Sequence, residues 1–121
     1  MYRILALTLL LPLPLAAQEA DCANAVTQAQ MTQCAAQELG AADDALNAAF
    51  GKAMTRMGGV DGGEDALRRA QRAWISFRDT ACAAEGLRYA GGSMQGMVVV
   101  NCKTRLTDVR TADLRALAEG S

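Results

Sequence analysis

The sequence predicts an all-α protein, a compact bundle of three to four helices that contains an antiparallel helical hairpin and is stapled by two disulfides. Apolar residues recur every three or four positions along most of the chain, which is typical of helices with one buried face. Glycine-rich segments separate these periodic stretches, and four cysteines are spread among them. The 121 residues are enough for one domain.

The first 17 residues have the features of a signal peptide. Arg3 supplies a positive charge, an apolar run follows it, and Ala17 ends a pair of small residues suited to cleavage. The run is shorter than the roughly 20 residues that a membrane-spanning helix needs, and two prolines interrupt it. We therefore predict cleavage near Ala17, a single domain over residues 18–121, a periplasmic or secreted location and no membrane anchor after cleavage.

All four cysteines, Cys22, Cys34, Cys82 and Cys102, lie in the predicted mature chain. An even number of cysteines in an oxidising compartment indicates disulfides. We favour Cys22–Cys34 together with Cys82–Cys102, because both bonds close short loops. A Cys34–Cys82 bond is the alternative if these residues lie at the same end of an antiparallel hairpin. The chain has no His and no CxxC motif, so we expect no metal and no cofactor.

The first helix is predicted to begin after Thr27, which can form a capping box with Gln30. Gly58 and Gly59 should end it after roughly 30 residues. The apolar face between these limits comprises Met31, Cys34, Leu39, Ala42, Leu46, Ala49, Phe50, Ala53, Met54 and Met57.

The second helix is predicted to start with Asp61 as its N-cap and to stop at Gly86. The connection between the first two helices is short, so they should pack antiparallel. The predicted core face of the second helix comprises Leu67, Ala70, Trp74, Phe77 and Ala81, with Ile75 and Cys82 beside it.

Residues 86–93 form the one substantial loop in this prediction, and Ser93 is expected to cap a third helix. The β-branched residues 98–100 could instead form a short strand, and Thr107 is a point where the helix could restart after a break. The predicted core face of the third helix comprises Met94, Met97, Val98, Cys102, Leu106, Val109, Leu114 and Leu117.

Composition argues against several classes of function. A formal net charge of −1 gives no electrostatic basis for binding nucleic acid. The absence of His removes His-dependent catalytic triads, and neither Ser76 nor Ser93 has an evident base to activate it. We therefore predict that the chain is not an enzyme.

Polar residues on the first two helices predict a structural contact between them. Asp43 and Asn47 lie one helical turn apart, and Arg78 lies one turn beyond Trp74. The Arg78 guanidinium can stack on the indole or reach a carboxylate of the first helix. One alternative is a catalytic or metal-binding carboxylate, and catalysis by two carboxylates needs a second acid across a cleft. Another is a site around Arg78 that binds an anion or a partner. The predicted structural set is Asp43, Asn47, Gln71, Trp74, Arg78 and Asp79.

The loop after the second helix is the candidate interaction site. It carries Arg88 and Tyr89, followed by Gly91, Gly92 and Ser93. Exposed Tyr and Arg are favoured as anchors in protein interfaces. The alternative is a plain linker closed by a Cys82–Cys102 bridge.

Three parts of the chain together match one known pattern. They are Cys22 with residues 27–35 and 42–47, then residues 71–82, and then residues 91–94 with Cys102 and residues 106–110. In this order, and with the four cysteines, the chain resembles the LprI-like lysozyme inhibitor N-terminal domain family over nearly the whole predicted mature region. The resemblance implies a compact, disulfide-bonded, all-helical domain that bacteria export.

The resemblance also implies lysozyme as a partner, although the family supplies no inhibitory residue to carry onto this sequence. We predict a small exported binding protein that inhibits lysozyme by occluding its cleft with the Gly86–Ser93 loop. Arg88 suits a cleft that carries catalytic carboxylates. The alternative is a non-catalytic envelope accessory or structural module that binds another envelope protein or a cell-wall component.

Overall fold

The computed structural model describes residues 21–120, which form three long α-helices and two single-turn 3-10 helices and contain no strand. The all-α class and the order of the helices are therefore confirmed. The predicted signal peptide and its cleavage site lie outside the described residues. Between residues 21 and 120, no helix has an apolar stretch long enough to cross a membrane. The long helices are α1 (Gln28–Met57), α2 (Gly63–Gly86) and α3 (Gln95–Glu119).

α1 begins and ends at the predicted residues because its signals are local. The Gln30 backbone N–H donates to Thr27 Oγ1, and the Thr27 N–H donates to Gln30 Oε1, both at 3.1 Å. These two bonds complete the predicted capping box. At the other end, the Gly58 N–H donates to the Met54 carbonyl at 3.0 Å.

The starts of α2 and α3 correct two predictions. Asp61 is not the N-cap of α2, because Gly62, with φ at 71°, occupies that position. Ser93 is not the N-cap of α3, because Met94 occupies it and provides no side-chain hydrogen bond. In both cases a turn closed by backbone hydrogen bonds directly precedes the helix, and the N-cap lies one residue later than predicted.

α3 is one continuous helix. Residues 98–100 are helical, and the helix runs through Thr107 without a break. Thr107 is fully buried, and its carbonyl accepts a hydrogen bond from Thr111 Oγ1 at 2.8 Å. Neither the alternative strand nor a restart of the helix occurs.

The helices pack most extensively through α1 and α3, which run in the same direction. Thr32 lies beside Gly96 near the start of both helices, and Arg56 lies beside Gly120 near their ends. α2 returns antiparallel to α1 and meets it at an ion pair near the middle. Buried alanines on α1 keep its α3-facing side small. The buried core consists of Leu46, Ala49, Ala53, Leu67 and Leu114, with partly buried Phe50, Met54, Met57, Trp74, Leu117 and Ala118 around it.

Several residues predicted to lie on the core faces are exposed instead: Met31, Ala70, Phe77, Met94 and Val109, together with Ile75 beside the face of the second helix. Phe77 is 59% exposed on α2, and Val109 is 58% exposed on α3. Each residue of an α-helix is rotated by about 100° from the one before it, so Phe77 cannot share a face with Arg78, whose side chain is only 13% exposed. The interior face of α2 runs through Leu67, Gln71, Trp74, Arg78 and Cys82.

Both favoured disulfides are present. Cys22–Cys34 ties the first 3-10 helix, Cys22–Asn24, to α1. Cys82–Cys102 ties the last turns of α2 to α3, and both of its cysteines are buried. The alternative Cys34–Cys82 bond is therefore excluded by the observed pairing.

Candidate partner-binding site

The predicted interaction residues form an exposed turn between α2 and α3. The second 3-10 helix, Leu87–Tyr89, continues from the end of α2. Arg88 and Tyr89 are both exposed, and the Arg88 guanidinium carbon lies 6.0 Å from the centre of the Tyr89 ring. Within residues 21–120, no carboxylate pairs with Arg88. Its charge is therefore free to pair with an acidic group on a partner.

Backbone hydrogen bonds order the rest of this turn. The Gly92 N–H donates to the Tyr89 carbonyl at 2.9 Å, and the Gly91 N–H donates to Gln95 Oε1 at 3.2 Å. Gly91 has φ at 77°, a conformation that favours glycine. Ser93 is exposed at the end of the turn. The turn thus has a defined shape although its side chains are exposed.

The turn is also anchored to the bundle by close contacts between the end of α2 and α3. Gly86 is buried at the end of α2, and a β-carbon at this position would overlap the Val99 side chain of α3. The Cys82–Cys102 disulfide joins the same two helices one turn earlier. Because these contacts restrain both helices, little conformational entropy should remain to be lost when the turn binds.

A shallow depression adjoins the turn on the side of α3. Arg88 and Tyr89 line it together with Asn101, Glu85 and Arg105. Glu85 Oε2 accepts a hydrogen bond from Arg105 Nη2 at 2.9 Å, so these two charges neutralise each other. Arg88 remains the unpaired cation of the depression.

The predicted structural residues form a separate cluster in the middle of the bundle. Arg78 Nη1 donates to Asp43 Oδ1 at 3.1 Å and to Thr107 Oγ1 at 3.2 Å. Its Nε donates to Asp79 Oδ1 at 3.0 Å, and its guanidinium carbon lies 5.2 Å from the centre of the Trp74 ring. One side chain of α2 therefore contacts α1 and α3 at the same time.

The remaining predicted structural residues lie around this cluster. Gln71 is buried, and its Oε1 accepts a hydrogen bond from Arg110 Nε at 3.0 Å. Asn47 is exposed, one turn beyond Asp43. Sequence reasoning missed the role of Thr107, which looked like a point of interruption. The signal that could have revealed it is its spacing of four from Thr111, which places two polar residues on the buried face of α3 between Cys102 and Leu114.

The chemistry of the cluster favours a structural role. The Asp43 carboxylate is paired with Arg78, and the described residues hold no group of His, Cys, Asp or Glu side chains that could bind a metal ion. No buried side-chain nitrogen or oxygen in the described part of the chain lacks a hydrogen-bond partner. The turn that carries Arg88 and Tyr89 is accordingly the better candidate for binding.

The chain is similar to known proteins along most of its length. The family model described as lysozyme inhibitor LprI matches residues 19–114. A protein of Rhizobium meliloti (strain 1021), described as uncharacterized, is 39% identical over 114 residues, which cover 85% of this chain and 82% of the relative. No solved structure matches the chain. The family match includes both disulfides and the whole candidate turn.

Proposed function

The chain belongs to the LprI family, and from this membership we propose that it is a lysozyme inhibitor that acts as an exported binding protein. Inhibition requires only that the cleft be blocked, so the chain needs no catalytic group of its own. Arg88, Tyr89, Gly91, Gly92 and Ser93 are the proposed contact residues.

The observation that carries the proposed binding mode is the unpaired Arg88 on an ordered, exposed turn. Glycoside hydrolases cleave with a pair of carboxyl groups in their cleft. An arginine can bind a carboxylate through two parallel hydrogen bonds, which gives both strength and orientation. The turn is restrained by its own backbone bonds and by the buried Cys82–Cys102 disulfide, which supports entry into a cleft without much loss of entropy.

An extracytoplasmic location is part of the proposal. Two disulfides fit an oxidising compartment, where lysozymes also act. We propose residues 1–17 as the signal peptide and the periplasm or the extracellular medium as the destination.

The test is a titration of the exported, oxidised protein against c-type, g-type and i-type lysozymes. Lysis of cell walls reports inhibition, and calorimetry reports direct binding. Submicromolar inhibition of at least one class is the expected result. If none of the three classes binds, the proposed function is wrong, and a module that binds another envelope component becomes the better assignment.

A further inference from the structure

Two segments at one end of the bundle are almost free of charged residues. Residues 22–37 contain no Asp, Glu, Lys or Arg, and Arg88 is the only one among residues 86–102. Charged residues make up 21% of the whole chain, so both segments depart clearly from its composition. The first segment contains both cysteines of the Cys22–Cys34 disulfide, and the second contains Cys102 of the Cys82–Cys102 disulfide. We call the surface formed by residues 22–37 and 86–102 the disulfide end.

The two segments of the disulfide end lie against each other. Gln28 Nε2 lies 3.4 Å from Met97 Sδ, which joins the first turn of α1 to the first turn of α3. A β-carbon at Gly96 would lie 3.9 Å from Thr32 Cγ2, one turn further along α1. The surface is therefore continuous from the start of α1 to the Arg88 turn.

Large apolar side chains are exposed on this surface. Val26 is 81% exposed and Leu87 65%, and Met31, Tyr89 and Met94 are each close to 40% exposed. Val26 and Met31 occupy the two positions of a hydrophobic staple, a contact that commonly shields such residues at a helix start. With 81% of its surface exposed, the Val26 side chain is largely unshielded at this position.

The opposite end of the bundle has a different character. Within residues 21–120, Val60 is the one strongly exposed large apolar residue at the α1–α2 turn. Charged residues flank it there, including Asp61, Glu64 and Asp65. Of the two ends of the bundle formed by residues 21–120, the disulfide end is therefore the one where exposed apolar groups and a low density of charge coincide.

This composition is that of the buried centre of a protein interface. Such centres are depleted in Lys, Asp and Glu and enriched in Tyr, Met and Arg. We propose that the disulfide end is the surface that seats on lysozyme, with Arg88 facing the carboxylates of the cleft and Val26, Met31, Leu87 and Met94 packing on its rim. This inference rests on the proposed lysozyme inhibition and extends the contact beyond the Arg88 turn to α1.

Charge complementarity favours a carboxylate-lined cleft as the occupant. An acidic group on the disulfide end would repel the carboxylates of the cleft and weaken binding. Neither segment contains such a group. Three acids border the segments in sequence. Glu85 pairs with Arg105, and Asp21 accepts a hydrogen bond from the Asn24 side chain at 2.9 Å. Glu38 follows the first segment and lines the groove between α1 and α3 with Ala41 and Thr104.

The first test replaces exposed methionines and uses the full exported protein with a lysozyme that it inhibits. Met31→Ser/Met94→Ser should weaken binding by about tenfold, because it removes apolar contacts between the disulfide end and the rim of the cleft. Val60→Ser/Val109→Ser makes a similar apolar-to-polar change elsewhere and should weaken binding by less than about twofold. Thermal melting checks that both variants fold. Equal effects of the two changes, or no effect of the first, would overturn the inference.

The second test is a double-mutant cycle on Arg88. Arg88→Ala should weaken binding to wild-type lysozyme by about tenfold or more, but should matter little when the catalytic carboxylates of the lysozyme are replaced by amides. Additive effects would refute the placement of Arg88 in the cleft. Inhibition that survives changes at Met31 and Met94 refutes the proposed surface alone, whereas a wild-type protein that binds no lysozyme refutes the proposed function and this inference together.

Discussion

Arg78 has an unusual number of partners for one side chain in a bundle of this size. Its guanidinium contacts Asp43 of α1 and Thr107 of α3 and covers the Trp74 ring on its own helix. The side chain is mostly buried, whereas Asp43 and Asp79 are each more than 40% exposed. Water can therefore replace Arg78 at the two carboxylates but not at the buried Thr107 hydroxyl.

We expect Arg78→Ala to lower the free energy of unfolding by about 2–3 kcal/mol, because it removes these bonds and leaves a buried hydroxyl without this partner. Arg78→Lys should lower the free energy of unfolding by less than Arg78→Ala, because lysine keeps the positive charge. It should still be destabilising, because lysine cannot bond to Asp43 and Asp79 in the same planar arrangement. Urea denaturation of the oxidised protein measures both. An alanine variant as stable as the wild type would show that the cluster adds nothing to stability.

Arg88 and Tyr89 have the opposite character, because they are exposed and lie outside the core. Arg88→Ala/Tyr89→Ala should therefore leave the melting temperature nearly unchanged and weaken lysozyme inhibition by at least about tenfold. Arg72→Ala/Phe77→Ala is the matched control, since it removes an exposed arginine and an exposed aromatic ring from α2. Inhibition that is the same in both variants would remove the turn from the proposed interface.

At the scale of the helices, features set by neighbouring residues could be predicted from the sequence, whereas features set by packing between helices could not. The capping box of α1 lies within four residues, so its start could be predicted. α2 carries apolar residues on two faces, and only packing decides that Trp74 faces inward while Phe77 faces solvent. The starts of α2 and α3 depend on backbone bonds within the preceding turns, for which the side chains of Asp61 and Ser93 give no signal.

Glycines inside α1 allow a prediction for that helix. A β-carbon at Gly40 or Gly51 would meet no atom within 4 Å, and both positions are helical. Each Gly→Ala change should therefore raise the free energy of unfolding by up to about 1 kcal/mol. The comparison is Gly91→Ala, which should destabilise the protein because φ at that position is 77°.

Thermal melting of the three glycine variants measures these effects. About 1 kcal/mol corresponds to a shift of roughly 4–8 °C in a domain of this size. A fall in the melting temperature for Gly40→Ala or Gly51→Ala would mean that α1 needs the missing side chain for a contact or a bend.

At the scale of the whole molecule, the helix order and the disulfide pairing could be predicted, but the dominant contact between α1 and α3 could not. Short loops between cysteines favoured the observed pairing. The parallel packing of α1 on α3 joins residues far apart in the chain, such as Thr32 and Gly96, and no local pattern encodes it. The candidate site shows the same division, since the Arg88 turn could be located in the sequence, whereas the contact between the starts of α1 and α3 could not.

The two disulfides should contribute unequally to the stability of the whole molecule. By chain entropy alone, loops of 12 and 20 residues give about 3 kcal/mol each. Cys82→Ala/Cys102→Ala should cost more than this, about 4–5 kcal/mol, because it also leaves a cavity between α2 and α3 where both cysteines are buried. Cys22→Ala/Cys34→Ala should cost about 2–3 kcal/mol, because exposed Cys22 holds only a single 3-10 turn.

Chemical denaturation of the two double variants, with the other disulfide intact in each, measures this difference. The reverse order of stability would mean that the turn at Cys22–Asn24 stabilises the bundle more than the link between α2 and α3. Inhibition assays on the same variants separate stability from binding. Loss of Cys82–Cys102 should weaken inhibition even below the melting temperature, because the disulfide then no longer closes the loop that carries the Arg88 turn, and the turn must be ordered when it binds.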